Sequence, residues 1–345
     1  MQKNPLQAIF FGLVACFVLL TAASPSRAEE QKFARLGDLR LESGETLRDC
    51  RVAYRTFGRL NENRSNAILF LTWFNGRSER LAQDVGRDKM LDPGQYFVVL
   101  IDALGNGIST SPSNSAAQPK DKFPRISIRD MVHAEYLLST KELGLTHVHA
   151  IIGISMGGMQ TFQWVVSYPD FMDVAIPIAG TPQQSSYDLL VWTTQEMTID
   201  YRLKNGNEEG ALDIAERIGL MSLTTPANVA IEHKREEFEK YVTTSVEDWK
   251  KDQNPYDYLC QLRAMIAHNI APASGTLEDA ANLVKAKMLV IVARQDHLVN
   301  PLTALHFAEL RKAPTLVLES DCGHQATVCQ NALMTMAARG TLSEK

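Results

Sequence analysis

The sequence has no run of basic residues, no Cys-x-x-Cys pair, no internal repeat and no linker rich in proline, glycine or serine. Each absence removes a class of function. Without a Lys/Arg stripe, and with a formal net charge of −5, the chain is a poor candidate for nucleic-acid binding. Without closely paired cysteines there is no zinc site to read. No metal or nucleotide motif is present either, so no cofactor is expected. What remains is an ordinary globular composition over 345 residues, 45% hydrophobic and 22% charged. That length fits one large α/β domain with an insertion, or two domains.

The first residues read as a separate object. Met1–Pro5 carries Lys3, and Ala8–Ala23 is almost continuously apolar. Ser24-Pro25-Ser26-Arg27-Ala28 then offers small residues ahead of Glu29-Glu30. The pattern predicts a secretory signal peptide over residues 1–28, cut after Ala28, and a periplasmic or secreted mature protein. Two alternatives stay open. One is an uncleaved membrane anchor, for which the apolar run is slightly short. The other is a lipoprotein through Leu13-Val14-Ala15-Cys16, although apolar residues continue past the cysteine. Export would leave Cys50, Cys260, Cys322 and Cys329, an even number in a compartment where disulfides persist.

Phe33–Leu41 and Arg51–Gly58 alternate loosely about Ser43-Gly44 and predict an antiparallel hairpin. Short apolar runs then read as buried parallel strands: Ala67–Thr72, Tyr96–Asp102, Val148–Ile154, Val174–Ala179, Met288–Ala293 and Thr315–Glu319. Helical patterns lie between several of them: Ile128, Met131, Val132 and Tyr136 share a face, and Gly157–Tyr168 forms another. The expected architecture is a mostly parallel sheet covered on both faces by helices, over residues 29–182 and 283–345. Residues 183–282 break the alternation with helical spacing alone and read as a helical lid insertion.

Gly153-Ile154-Ser155-Met156-Gly157 matches G-x-S-x-G, between an apolar strand and a helix. In such an elbow the turn is too tight for side chains at the two glycines. The serine is strained, with its hydroxyl exposed, and the helix N-terminus behind it favours negative charge. The fold carrying this motif is the α/β-hydrolase fold, whose chain order is Ser, then Asp or Glu, then His. Asp296 follows the Met288–Ala293 strand and His324 follows the Thr315–Glu319 strand. Ser155, Asp296 and His324 are therefore the expected catalytic triad. Asp321 and Asp173 are competing acids, and His297 and His268 competing bases. Asp321 lies too near His324 in sequence to come from a separate strand end. The backbone N–H groups of Met156 and of Phe74, in Trp73-Phe74-Asn75-Gly76, are the expected oxyanion donors. The bland alternatives are a structural turn with an inert serine, and Trp73 and Phe74 that only pack against the sheet.

Ser155-Met156-Gly157-Gly158-Met159-Gln160, with Trp164 and Tyr168-Pro169-Asp170, resembles the elbow of homoserine O-acetyltransferase-like α/β hydrolases. Leu41-Glu42-Ser43-Gly44, Tyr54-Arg55-Thr56-Phe57-Gly58, Arg64-Ser65-Asn66-Ala67, Ile128-Arg129-Asp130-Met131-Val132 and Cys322-Gly323-His324 agree. The resemblance implies the same fold, triad and acyl-enzyme. It departs where those transferases carry a lid Arg, a later lid Asp and an Asp after the catalytic His. This chain has Glu196, Ile266 and Gln325 there, and Thr72-Trp73-Phe74-Asn75-Gly76 in place of His-Ala-Leu-Thr-Gly. An Arg would pair with an amino acid's carboxylate, so charge complementarity for a zwitterion is lost.

The reading preferred on these grounds is an exported serine hydrolase that cleaves a carboxylic ester, thioester or lactone through an acyl-enzyme. An acyltransferase of the homoserine O-acetyltransferase type is the alternative, and a non-catalytic binding protein on the same fold a remote one. The expected partner is a small acyl-bearing molecule. Nucleic acid is not expected, nor stable membrane insertion once the signal is cut, and a homodimer is left open. Cys322 and Cys329 bracket His324, with Cys329 expected one to two turns into the final helix. They are candidates for a disulfide, with buried thiols or a partner in Cys50 or Cys260 as alternatives.

Overall fold

The computed structural model describes residues 30–344. The expected signal peptide therefore lies outside the described residues. Along the described chain run β1 (Lys32–Arg40), β2 (Thr46–Phe57), β3 (Ala67–Leu71), α1 (Ser78–Leu81), β4 (Phe97–Ile101), α2 (Ile128–Leu137), β5 (Val148–Ile154), α3 (Met156–Ser167) and β6 (Met172–Ile178). Then come α4 (Ser186–Lys204), α5 (Glu208–Leu223), α6 (Pro226–Glu232), α7 (Phe238–Lys250), α8 (Pro255–Ile266) and α9 (Leu277–Leu283). The chain closes with β7 (Lys287–Met288), β8 (Val290–Ala293), α10 (Leu302–Arg311), β9 (Thr315–Leu318), α11 (Ala326–Cys329) and α12 (Asn331–Ser343).

The strands form one nine-stranded sheet in the order β1-β2-β4-β3-β5-β6-β8-β9, with β7 also on β6. β1 and β2 make the antiparallel hairpin, β2 meets β4 antiparallel, and every other pairing is parallel. This is the α/β-hydrolase fold. Its central strands are apolar throughout because both faces are buried. Leu69 and Leu71 of β3 face a core shared with α2, α3 and α10, whereas Ile68 and Phe70 face a second core with α12. Each fully buried large side chain of this kind contributes roughly 1.5–3 kcal/mol of transfer free energy.

One expected strand needs correction. Met288–Ala293 is interrupted at Leu289, whose N–H reaches back to Ala175 O, whereas the N–H of Val290 turns the other way to Pro314 O. β6 pairs with Lys287 and Met288 and again with Ile291 in the same register, with no bridge at Leu289.

Helix starts in the insertion are set by local chemistry. Ser185 and Asp188 form a reciprocal capping box at α4, and Asn254 caps α8 ahead of Pro255 at its first position. The insertion leaves and rejoins the core side by side, where Ile270 N–H bonds to Pro182 O and Gln183 bridges Asn269. α9 packs Ala280 and Ala281 back into the core. Among the described residues, no helix is long and apolar enough to cross a membrane.

Candidate active site

Parallel strands deliver their carboxyl ends to one edge of the sheet, and the site lies there. Ser155 follows β5 directly, Asp296 follows β8, and His324 follows β9. His324 Nε2 lies 2.9 Å from Ser155 Oγ, and His324 Nδ1 lies 2.6 Å from Asp296 Oδ2. The second carboxylate oxygen of Asp296 accepts the backbone N–H groups of Leu298 and Val299, both at 2.8 Å. The acid is therefore held on both oxygens, and it fixes the imidazole from behind.

Ser155 has φ 58° and ψ −119°, a left-handed conformation that costs a non-glycine residue energy. The sequence explains how it is held. A Cβ on Gly153 would overlap the backbone of Gly157, and one on Gly157 would overlap Leu71 O. Glycine at both places lets strand, helix and β3 approach closely enough to force the turn. The expectation of an exposed hydroxyl needs correction: Ser155 is only 5% exposed and its hydroxyl is engaged by His324.

Met156 begins α3, so its N–H is one of the four at a helix start without an intrahelical acceptor. Phe74 lies in a turn closed by Gly76 N–H to Trp73 O at 2.8 Å. Asn75, at the third position, has φ 53°, which suits a type II turn and explains an asparagine there. The turn is tied on every side. Gln160 Nε2 donates to Thr72 O, Asn106 Nδ2 to Gly76 O, and Asn75 N–H to Gln261 Oε1. Phe74 also packs its ring on Tyr258, at 4.4 Å between centroids.

The competing residues lie elsewhere. Asp173 is exposed and pairs with His147. The Asp321 side chain is exposed, and its carbonyl accepts from Thr225. His297 sits against the Tyr187 ring. His268 is buried, and desolvation pushes its pKa down to about 3, which leaves it neutral in the core.

Sequence reasoning missed three supports of the site. Asp188 accepts Asn300 N–H at 2.8 Å and so ties α4 to the loop that carries Asp296. Burial, and to a lesser degree the nearby Asp296, push the Asp188 carboxyl above the usual range. Thr225 Oγ1 donates to Asp321 O at 2.7 Å and holds the His324 loop from the insertion. Gln261 is the third. Only Asp188 carried a signal, as the last residue of the Ser185-x-x-Asp188 capping pattern.

Cys322 and Cys329 form a disulfide, with Cα atoms 6.7 Å apart, and Cys50 and Cys260 are free. Cys329 does not enter the final helix as expected. It ends the separate short helix α11, because the chain turns at Gln330 before α12 begins. Among the described residues, no group of three or more His, Cys, Asp or Glu side chains could hold a metal ion. A cleft of about 460 Å³, lined in part by Lys120, Phe123, Asp200, Tyr256 and Arg263, contains none of the three central residues.

Comparison with known proteins agrees with this geometry. The family model for the alpha/beta hydrolase fold matches residues 70–327. A probable esterase of Corynebacterium glutamicum is 42% identical over 170 residues, covering 48% of this chain and 49% of the relative. The chain thus spans about half the length of that relative. A homoserine O-acetyltransferase of Methanobrevibacter ruminantium is 30% identical over 369 residues, covering 93% of this chain and 74% of the relative. The crystal structure of an acetylester hydrolase from C. glutamicum superposes with a TM-score of 0.84 at 28% identity, covering 91% of this chain and 96% of that one. The chain belongs to the α/β-hydrolase fold enzymes, in the group that joins esterases with homoserine O-acetyltransferases.

Proposed function

We propose that the protein hydrolyses a small carboxylic ester through an acyl-enzyme on Ser155. The observation that carries this reading is the unbroken hydrogen-bonded line from Ser155 Oγ through His324 to Asp296. Ser155 Oγ attacks the ester carbonyl as its proton passes to His324 Nε2. The oxyanion accepts the Met156 and Phe74 N–H groups. As the carbonyl re-forms, the alkoxide leaves with the proton from His324. Water then attacks the acyl-enzyme, giving its proton to His324. The acid departs and Ser155 regains its hydrogen. Asp296, hydrogen-bonded to Nδ1, orients the imidazole and stabilises the imidazolium that forms.

Hydrolysis is preferred to homoserine acetylation because of the insertion. Glu196 and Asp200 both pair with Arg263, at 2.7 and 2.8 Å, so that guanidinium is already neutralised. Ile266 packs half-buried against the core. Neither position offers the fixed charges that would hold a free amino acid. The similarity to an acetylester hydrolase and a probable esterase points the same way.

We also propose that the protein acts outside the cytoplasm. The pattern of residues 1–28 and the Cys322–Cys329 disulfide support this.

The test is a paired assay on purified protein cleaved after Ala28. It should hydrolyse p-nitrophenyl acetate with saturation, and should form no O-acetylhomoserine from acetyl-CoA and homoserine. Saturable homoserine acetylation faster than ester hydrolysis would overturn the reading in favour of acyl transfer.

A further inference from the structure

We propose that Gln261, from helix α8 of the insertion, is a positioning residue for the oxyanion turn. The insertion then helps to set the rate of the reaction, beyond covering the site. The inference rests on the ester-hydrolase reading above, and specifically on the Phe74 N–H as an oxyanion donor.

Gln261 is fully buried. Its side-chain amide spans two loops of the core: Oε1 accepts Asn75 N–H at 2.7 Å, and Nε2 donates to Leu104 O at 2.9 Å. The two partners fix which end of the amide is which, because one is a donor and the other an acceptor. Asn75 is the positive-φ residue of the turn, and its N–H goes to Gln261 while Gly76 N–H makes the turn's own hydrogen bond. Without Gln261 that part-buried donor loses the acceptor that holds it, and the turn loses a tether. Tyr258 stands one turn earlier on the same face of α8 and packs its ring on Phe74. Two side chains of one insertion helix therefore grip two consecutive residues of the turn.

The grip bears on rate through geometry. An oxyanion donor acts only within about 2.7–3.1 Å of where the negative oxygen forms, and losing one such donor costs about 100- to 1,000-fold in turnover. A turn that loses a tether keeps the donor but samples worse positions, so a smaller loss is expected.

A purely structural role, anchoring α8, would give the same hydrogen bonds. A second anchor of the same helix separates the two: Ser113 N–H donates to Asp257 Oδ1 at 2.8 Å, a hydrogen bond that involves none of residues 73–76. The Ser113 hydroxyl also reaches Asp257. The experiment compares wild type, Gln261→Met, Gln261→Glu and Ser113→Ala. It measures p-nitrophenyl acetate kinetics and inhibition by an aryl trifluoromethyl ketone. Ser155 adds to that ketone to form a hemiketal oxyanion in the same place as the transition state.

Gln261→Met should lower kcat by about 10- to 100-fold with KM within about threefold. The ketone's Ki should rise by the factor by which kcat/KM falls. Gln261→Glu keeps an acceptor for Asn75 N–H and should recover part of the loss, and it serves alone if the Met variant does not fold. Ser113→Ala should lose stability while keeping kcat and ketone affinity. Wild-type kcat and Ki in Gln261→Met overturn the proposal, as does an equal loss in Ser113→Ala. Wild-type protein with neither ester turnover nor ketone binding defeats the ester-hydrolase reading instead.

Discussion

Gly157 passes so close to the end of β3 that a single added methyl group would overlap the carbonyl oxygen of Leu71. The nucleophile elbow and the oxyanion turn are thereby built against each other, since Leu71 leads directly into Thr72 and Trp73. Gly157→Ala must push the helix from the strand or distort Ser155. A loss of about 2–4 kcal/mol in stability is expected, at the upper end for overpacking because the clash is with backbone. Turnover should fall by at least about 100-fold, as a 1 Å displacement of a reacting group can cost that much. Chemical denaturation and ester kinetics check both effects. Near-wild-type values would show that elbow and turn are less tightly coupled than described.

The disulfide encloses His324. Cys322 stands two residues before His324, and Cys329 ends the short helix after it. Closing so short a loop stabilises the fold by about 2–3 kcal/mol in the chain-entropy account. Reduction, or the double change Cys322→Ser and Cys329→Ser, should lower the melting temperature. It should also cut kcat by about tenfold or more, as the histidine loop loosens. Thiol counting before and after reduction tracks the bridge. A reduced enzyme with unchanged kcat would confine the disulfide to stability.

A buried acid between α2 and α3 predicts a pH dependence. Glu135 is 1% exposed and accepts the Trp164 indole N–H at 2.7 Å. Burial pushes its pKa from 4.5 up to about 8. The folded protein thus keeps a proton that the unfolded chain releases above its ordinary value. The associated stability is complete below pH about 4.5 and declines as pH rises through about 8. Across that window the wild type should lose on the order of a few kcal/mol from this group. Glu135→Gln should flatten the profile, as read from denaturant midpoints between pH 5 and 9. An unchanged slope would mean that Glu135 is ionised in the fold.

Most of the frame was legible in the sequence because it is written in local pattern. The buried run Ala67–Leu71 and the pair Gly153 and Gly157 each carry their reason within a few residues. Ser155, Asp296 and His324 were legible as a set through chain order, since each follows its own strand, and the structure brings them into hydrogen-bonding distance. The supports were not. Gln261 lies 186 residues from Asn75, and nothing near either residue announces the pairing. Asp188 reads locally as a helix cap, and its bond to Asn300 exists only once the insertion folds back. Glu196 was legible as a departure from a lid Arg, but its pairing with Arg263, 67 residues on, exists only once the insertion folds.

The central claim is that Ser155 carries the acyl group, and labelling the active serine tests it most directly. Wild-type protein is treated with a fluorophosphonate, digested and mapped by mass spectrometry, beside Ser155→Ala. The account predicts one adduct, on Ser155, with ester turnover falling in step with labelling. It predicts no adduct on Ser155→Ala, and turnover lower by several orders of magnitude, since members of a triad act as a unit. A label on another residue, or Ser155→Ala with wild-type turnover, would contradict it.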